Sequence, residues 1–388
     1  MQIVFKRLAA VAVGLTLFCR PAQATDMFVF FGTHVQGAGK GFSLSHFDTD
    51  TGILTPPKFL LEAPAPGFFV LSRDHTRLYA NNSINTYQGK LTGTLSAYSI
   101  NPTSAHLTLL NTVEAGGADP SYISLDNTNK FVFTANYQSG TIAAFALKPD
   151  GSIGDRTAFF QHIGKGIDPI RQTHAYAHSI KVDPTNRFVL SADLGLDRLF
   201  VYRFDATTGG MTPNDPSYVS VTPGVGARHF TFAPNGKIVY LVSEMGSRIF
   251  EFAWDSEKGV LTQLQEISSL PDDFKGTSAC AEIEVHPSGK FLYTSNRGMD
   301  SISVFAIDAV DGHLTPLQHI TTEGKTPRNF AFDPTGKWLL VTNHGSNNAM
   351  VFKIDQETGQ LTPNGSPVAV PYPFCERFLA VPSGTTQP

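Results

Sequence analysis

The stretch Ala281–Asp308, AEIEVHPSGKFLYTSNRGMDSISVFAID, decides the fold. It reads as an apolar strand, a Pro-Ser-Gly-Lys turn, a second strand, a second turn and a third strand. A Gly-x-Leu-Thr signal at Gly312–Thr315 then opens a fourth. Strands this short, bounded by turn residues and alternating with period two, are the elements of an all-β sheet.

The unit recurs along the chain. Aligned on the turn residue, the copies are GFFVLSRDHTRLYANN, SYISLDNTNKFVFTANY, HSIKVDPTNRFVLSADL, RHFTFAPNGKIVYLVSE, AEIEVHPSGKFLYTSNR, RNFAFDPTGKWLLVTNH and the closing ERFLAVPSG. Pro184, Pro234, Pro287 and Pro334 mark the turns of four of them, so successive repeats are 50, 53 and 47 residues long. Four short strands per repeat of about 50 residues is the pattern of a β-propeller blade. Four residues before the turn stand Val70, Ile123, Ile180, Phe230, Ile283, Phe330 and Phe378, all apolar, as side chains packed between neighbouring sheets must be.

The N-terminal MFVFFGTH and GFSLSHFD supply the later strands of a blade without its first, and CERFLAVPSG is a first strand with nothing after it. Together they predict an all-β, seven-bladed β-propeller whose ring is closed by both termini in one blade, spanning residues 25–388 as one domain. Such closure leaves few exposed sheet edges.

Composition agrees. The 388 residues are 41% hydrophobic and 16% charged, with 34 Gly and 25 Pro, which suits a turn-rich β protein. A net charge of −4 gives no electrostatic case for nucleic acid or an anionic membrane surface, so any anion site must be local. Residues 1–24 read as a signal peptide, with Lys6 and Arg7, the apolar run Leu8–Phe18, and cleavage after Ala24 in Ala22-Gln23-Ala24. The mature chain is therefore expected in the periplasm or outside the cell, with no membrane attachment after cleavage. Cys280 and Cys375 would remain, read as free buried thiols. No zinc-type cysteine spacing is present, and neither a metal nor a cofactor is expected.

Function is sought where the blades differ. The start of each first strand and the end of each second strand share one rim of the central channel. Six residues before the turn stand Phe68, Ser121, His178, Arg228, Ala281, Arg328 and Glu376. Nine and ten residues after it stand Asn136-Tyr137, Asp193-Leu194, Ser243-Glu244, Asn296-Arg297 and Asn343-His344. Arg228, Arg297 and Arg328 on one mouth would repel one another. Glu244, Glu376 and Asp193 are expected to offset them in part, with a bound carboxylate or phosphate doing the rest; the alternative is a structural ion-pair network sealing the channel end. The expected ligand-binding set is Arg328, Asn296, Asn343, His344, Asp193 and Glu376. By strand alternation His229 should point away from the channel, His286 and Asp333 should cap turns, and His174 and His34 are possible overhangs of the mouth. The Gly-rich run at residues 37–41 lacks the P-loop pattern and reads as a turn.

HSIKVDPTNRFVLSADLGLDRLFVY, ARHFTFAPNGKIVYLVSE, EVHPSGKFLYTSNRGMDSISVF and TPRNFAFDPTGKWLLVTN resemble the seven-bladed propeller lactonase family. That family includes propeller-type 6-phosphogluconolactonases and a carboxymuconate cyclase. The resemblance implies a site built from a His, an Arg, a Glu and a second Arg on successive blades, matched here by His178, Arg228, Glu244 and Arg297. The family's His-x-His is not retained: Tyr176 takes its first position, with His174 displaced by two. The implied chemistry is hydrolysis of a small-molecule lactone, with the arginines stabilising the oxyanion and either Glu244 or His178 as general base. No G-x-S-x-G elbow is present. The alternatives are a non-catalytic periplasmic propeller binding an anionic ligand or a protein, and the lactonizing direction of the cyclase; the oligomeric state is left open.

Overall fold

The computed structural model describes residues 26–33 and 40–381. Among them stand seven antiparallel sheets, six of four strands and one with a short fifth. Blades 1 to 6 follow chain order, with innermost strands Pro66–Leu71, Pro120–Leu125, Ala177–Val182, Ala227–Phe232, Ala279–Val285 and Pro327–Phe332. In blade 7 the innermost strand is Pro373–Ala380. It pairs with Asp26–Thr33, which pairs with Gly41–Asp48 and then Lys58–Glu62. The ring is thus closed by both ends of the chain, as the incomplete terminal repeats predict. The expected leader, His34 and most of the Gly-rich run lie outside the described residues.

The apolar face set by the repeat is buried as expected: Ile123, Ile180, Phe230, Ile283, Phe330 and Phe378 all pack between sheets, and Val70 is half-buried. Polar ties join consecutive blades. The Tyr79 hydroxyl donates to the Gly151 carbonyl (2.9 Å), Tyr240 to Gly312 (2.6 Å), Tyr293 to Gly359 (2.5 Å), and the Trp338 indole to Thr49 (2.8 Å). This explains the Gly-x-Leu-Thr signal. Gly259 and Gly359 have φ of 71° and 72°, and a Cβ on either would come within 2.4 Å of the ring of Phe188 or Phe291 in the preceding blade. Only glycine satisfies both demands.

Where the first and second strands pair, blades 1 to 6 each carry a register shift at the start of the inner strand: between Pro66 and Phe69, Pro120 and Tyr122, Ala177 and Ser179, Ala227 and His229, Cys280 and Ile283, and Pro327 and Asn329. A bulge breaks alternation and re-aims the side chains around it. These shifts fall on the rim, at the residues six before the turn.

Candidate active site

The bulged residues and the ends of the second strands enclose a cavity of about 310 Å³. Its lining is Ser83, Asp119, Ser121, Tyr137, His178, Glu244, Arg297, Arg328, His344 and Phe374. Glu244, just past the second strand of blade 4 (Ile238–Ser243), is its electrostatic centre. Its Oε2 receives Arg228 Nε at 2.9 Å and Arg297 Nη2 at 3.0 Å, and its Oε1 receives Arg171 Nη2 at 2.6 Å. Burial alone would raise this carboxyl, but Arg297 and then Arg228 outweigh it and hold Glu244 well below the ordinary range.

The guanidiniums are placed by backbone oxygens. Arg228 is fully buried and donates from Nη1 to the Ala281 carbonyl, leaving Nη2 without a partner. Arg297, ending the second strand of blade 5, donates to the carbonyls of Ala279 (3.1 Å) and Cys280 (2.8 Å). Arg328 sits 3.9 Å over the Phe374 ring, and its buried Nε finds no partner. Burial and then the charge of Arg297 push Arg228 down to about 10; burial and then Arg228 push Arg328 well below its usual value. A guanidinium keeps its proton at working pH, so these pushes record the free-energy cost of burying cations and then crowding them together, a cost that an anion would relieve.

His178 is 4% exposed, with Nε2 3.8 Å from Glu244 Oε2 and Nδ1 unpartnered. Burial, and then Arg228, hold its imidazole well below the ordinary value, so it is neutral near pH 7.

Of the residues singled out in the sequence, His178, Glu244, Arg297, Arg328 and His344 meet at the cavity, with Arg228 directly behind Glu244. Four others do not. Asn296 is locked among Ser269, Ser301 and Ser303, and Asn343 donates to the Thr322 carbonyl (2.9 Å). Asp193 holds His162 Nδ1 (2.7 Å) and the Tyr176 and Leu196 amides, and so offsets no rim arginine. Glu376 is fully buried against the Thr342 hydroxyl (2.7 Å), and burial raises its carboxyl to about 8, so it carries no charge to offset. In all four the polar group closes an internal hydrogen-bond circuit rather than facing the mouth.

His229 is corrected in the other sense. The shift at Arg228 turns its imidazole inward, where Nδ1 meets Glu282 at 2.9 Å and the ring contacts Phe68, Tyr122 and His178. His174 bonds the Gln138 carbonyl (3.1 Å) and stays outside the lining. His286 bonds Ser288 and the Gly336 carbonyl, and Asp333 accepts from the Thr335 and Trp338 amides, both turn roles as expected. Cys280 and Cys375 are free and buried.

Arg171, Asp119, Ser83 and Phe374 escape a reading of repeats. Arg171 and Asp119 sit in segments joining blades, where nothing is periodic. The one available signal for Asp119 is its place before Pro120, at the entry to an inner strand.

The chain matches the family model described as "Lactonase, 7-bladed beta-propeller" over residues 28–378. It is 35% identical to a 6-phosphogluconolactonase of Bacillus subtilis, over 92% of this chain and 99% of that one. A 6-phosphogluconolactonase of Formosa agariphila is 32% identical over 76% of this chain and 83% of its own. Among solved structures, a periplasmic gluconolactonase of Pseudomonas aeruginosa superposes with a TM-score of 0.87 at 29% identity, covering 92% of this chain and 100% of that one. Fold and sequence therefore agree that this chain belongs to the seven-bladed β-propeller lactonase family.

Proposed function

We propose that the chain hydrolyses a sugar-derived lactone in this cavity, in the periplasm, after loss of residues 1–24. The observation that carries the reading is the fan of three guanidiniums around Glu244, one of which, Arg297, lines a cavity of about 310 Å³ together with Arg328. That volume is at the small end for ligand sites and suits one monosaccharide ring. With the ester carbonyl toward Arg297 and Arg328, the negative charge that develops on oxygen as water adds meets fixed cations in a site largely shielded from solvent. Arg171, 44% exposed at the side chain, keeps Nη2 on Glu244 and can offer its remaining N–H groups to a hydroxyl, carboxylate or phosphate of the substrate at the outer lip.

Of the two bases expected from the resemblance, Glu244 is saturated by three guanidiniums and serves as their anchor. His178 is neutral and lines the cavity, so its imidazole can orient a water or substrate hydroxyl without adding charge. The leader-like N-terminus and the periplasmic relative favour an unphosphorylated aldonolactone. The test is ring opening of gluconolactone and 6-phosphogluconolactone by leaderless protein, measured above the spontaneous rate. Arg297→Ala is expected to cut kcat/KM by about 10²–10³-fold; an unchanged rate refutes the site. Thermal stabilisation by gluconate without turnover would instead mark a binding propeller.

A further inference from the structure

The geometry points to Asp119 as the catalytic base, the group that takes the proton of the attacking water. This rests on the lactone-hydrolase reading. A base needs an open lone pair at the cavity, a fixed backbone position and no guanidinium bonded to it. Two carboxylates line this cavity, and Glu244 fails the last condition. The Asp119 carboxylate has no hydrogen-bond partner among the described residues; Arg328 is the cation that acts on it.

Its position is set by backbone. The Asp119 amide donates to the Ile84 carbonyl (3.0 Å) and its carbonyl accepts from the Tyr137 amide (2.9 Å), pinning it between blades 1 and 2. Its φ is 52°, in the left-handed region. That conformation belongs to the architecture: Ala65, Thr326 and Tyr372 stand at the same place, each before the proline that opens an inner strand, with φ of 48°, 58° and 43°. The fold accepts alanine, threonine or tyrosine there, and blade 2 alone of these four presents an acid. A carboxylate at a position where the fold accepts uncharged residues, in a cavity lined by two arginines, is most simply explained by chemistry.

Burial raises the Asp119 carboxyl toward the working pH of a base, whereas Glu244 and His178 are both held low. In the reaction, Asp119 takes a proton as the water oxygen bonds to the carbonyl carbon. The tetrahedral intermediate then expels the ring oxygen, which takes that proton back from Asp119 to become a hydroxyl. The new carboxylic acid loses its own proton to solvent, so one ester and one water give one hydroxy acid.

The test compares unsubstituted protein with Asp119→Asn and Asp119→Thr, the latter copying blade 6. Expected are melting temperatures near that of the unsubstituted protein, a fall in kcat of about 10²-fold or more with KM within about threefold, and loss of the acid limb of the pH–rate profile. The charged and titratable groups that share the cavity with that carboxylate are Arg328, Arg297, Glu244, His178, His344 and Tyr137, none of which is altered. Asp119→Glu should recover part of kcat. If Asp119→Asn retains kcat within about threefold, or keeps the acid limb, the assignment is overturned while the hydrolase reading stands. No acceleration by the unsubstituted protein overturns both.

Discussion

Adjacent residues at the ends of the second strands have opposite fates. In Asn136-Tyr137, Ser243-Glu244, Asn296-Arg297 and Asn343-His344 the second residue lines the cavity. The first turns away from the cavity, into its own blade or the segment that joins it to the preceding one: Asn136 bonds the Ala115 carbonyl and Thr141, Ser243 the Arg248 backbone, Asn296 three serines, Asn343 the Thr322 carbonyl. The physical cause is the two-residue period of a strand, which sends neighbours to opposite faces. Blade 3 is the exception, since Leu194 is buried and Asp193 holds a loop. Polarity alone therefore does not mark a functional residue on this rim. Of two polar neighbours, one builds the wall and the other faces the cavity.

Substitutions across one pair can break this contrast. The largest effect on turnover is expected from Arg297→Ala, whose side chain is 15% exposed, with a smaller loss of stability than of activity. Glu244→Gln comes next. With the anion gone, Arg171, Arg228 and Arg297 repel and splay, so kcat/KM should fall by about 10–100-fold, reflecting ~1.5–3 kcal/mol of lost charge-assisted bonding. Steady-state assays on gluconolactone check both.

Asn296→Ala should do the reverse of Arg297→Ala, lowering stability by ~1–3 kcal/mol by removing the amide's buried hydrogen bonds to Ser269, Ser301 and Ser303, while kcat per folded molecule is kept. Urea unfolding with active-site titration separates the two. An Asn296→Ala protein that is fully stable but inactive would sink the comparison.

The smallest effect is pH-dependent and tests whether Glu376 belongs to the wall. Its folded pKa of about 8 lies above that of the unfolded chain, so its protonated form favours folding. That contribution is fully present below the unfolded carboxyl range and is lost as pH rises through about 8. Glu376→Gln, which cannot ionise, should flatten the decline in melting temperature between pH 6 and 9, at roughly neutral activity. Equal pH slopes in the two proteins would show that Glu376 is not held neutral.

Much of this is legible in the chain. The Pro-centred repeat, the apolar residue four before each turn and the two incomplete ends determine a seven-bladed ring with shared closure, because blade packing demands the same residue type at the same offset every time. The positions that depart from the repeat also point to His178, Arg228, Glu244, Arg297, Arg328 and His344.

What the tertiary structure decided is direction and company. The register shifts of the inner strands swing His229 into the channel, although alternation sends it away. Hydrogen-bond circuits within and between blades withdraw Asn296, Asn343, Asp193 and Glu376 from the mouth. Arg171 and Asp119 reach the site from joining segments whose course no periodicity encodes. A repeat fixes which residue types each blade must bury; which polar groups meet across the ring depends on seven blades closing around one axis, and that exists only in the folded chain.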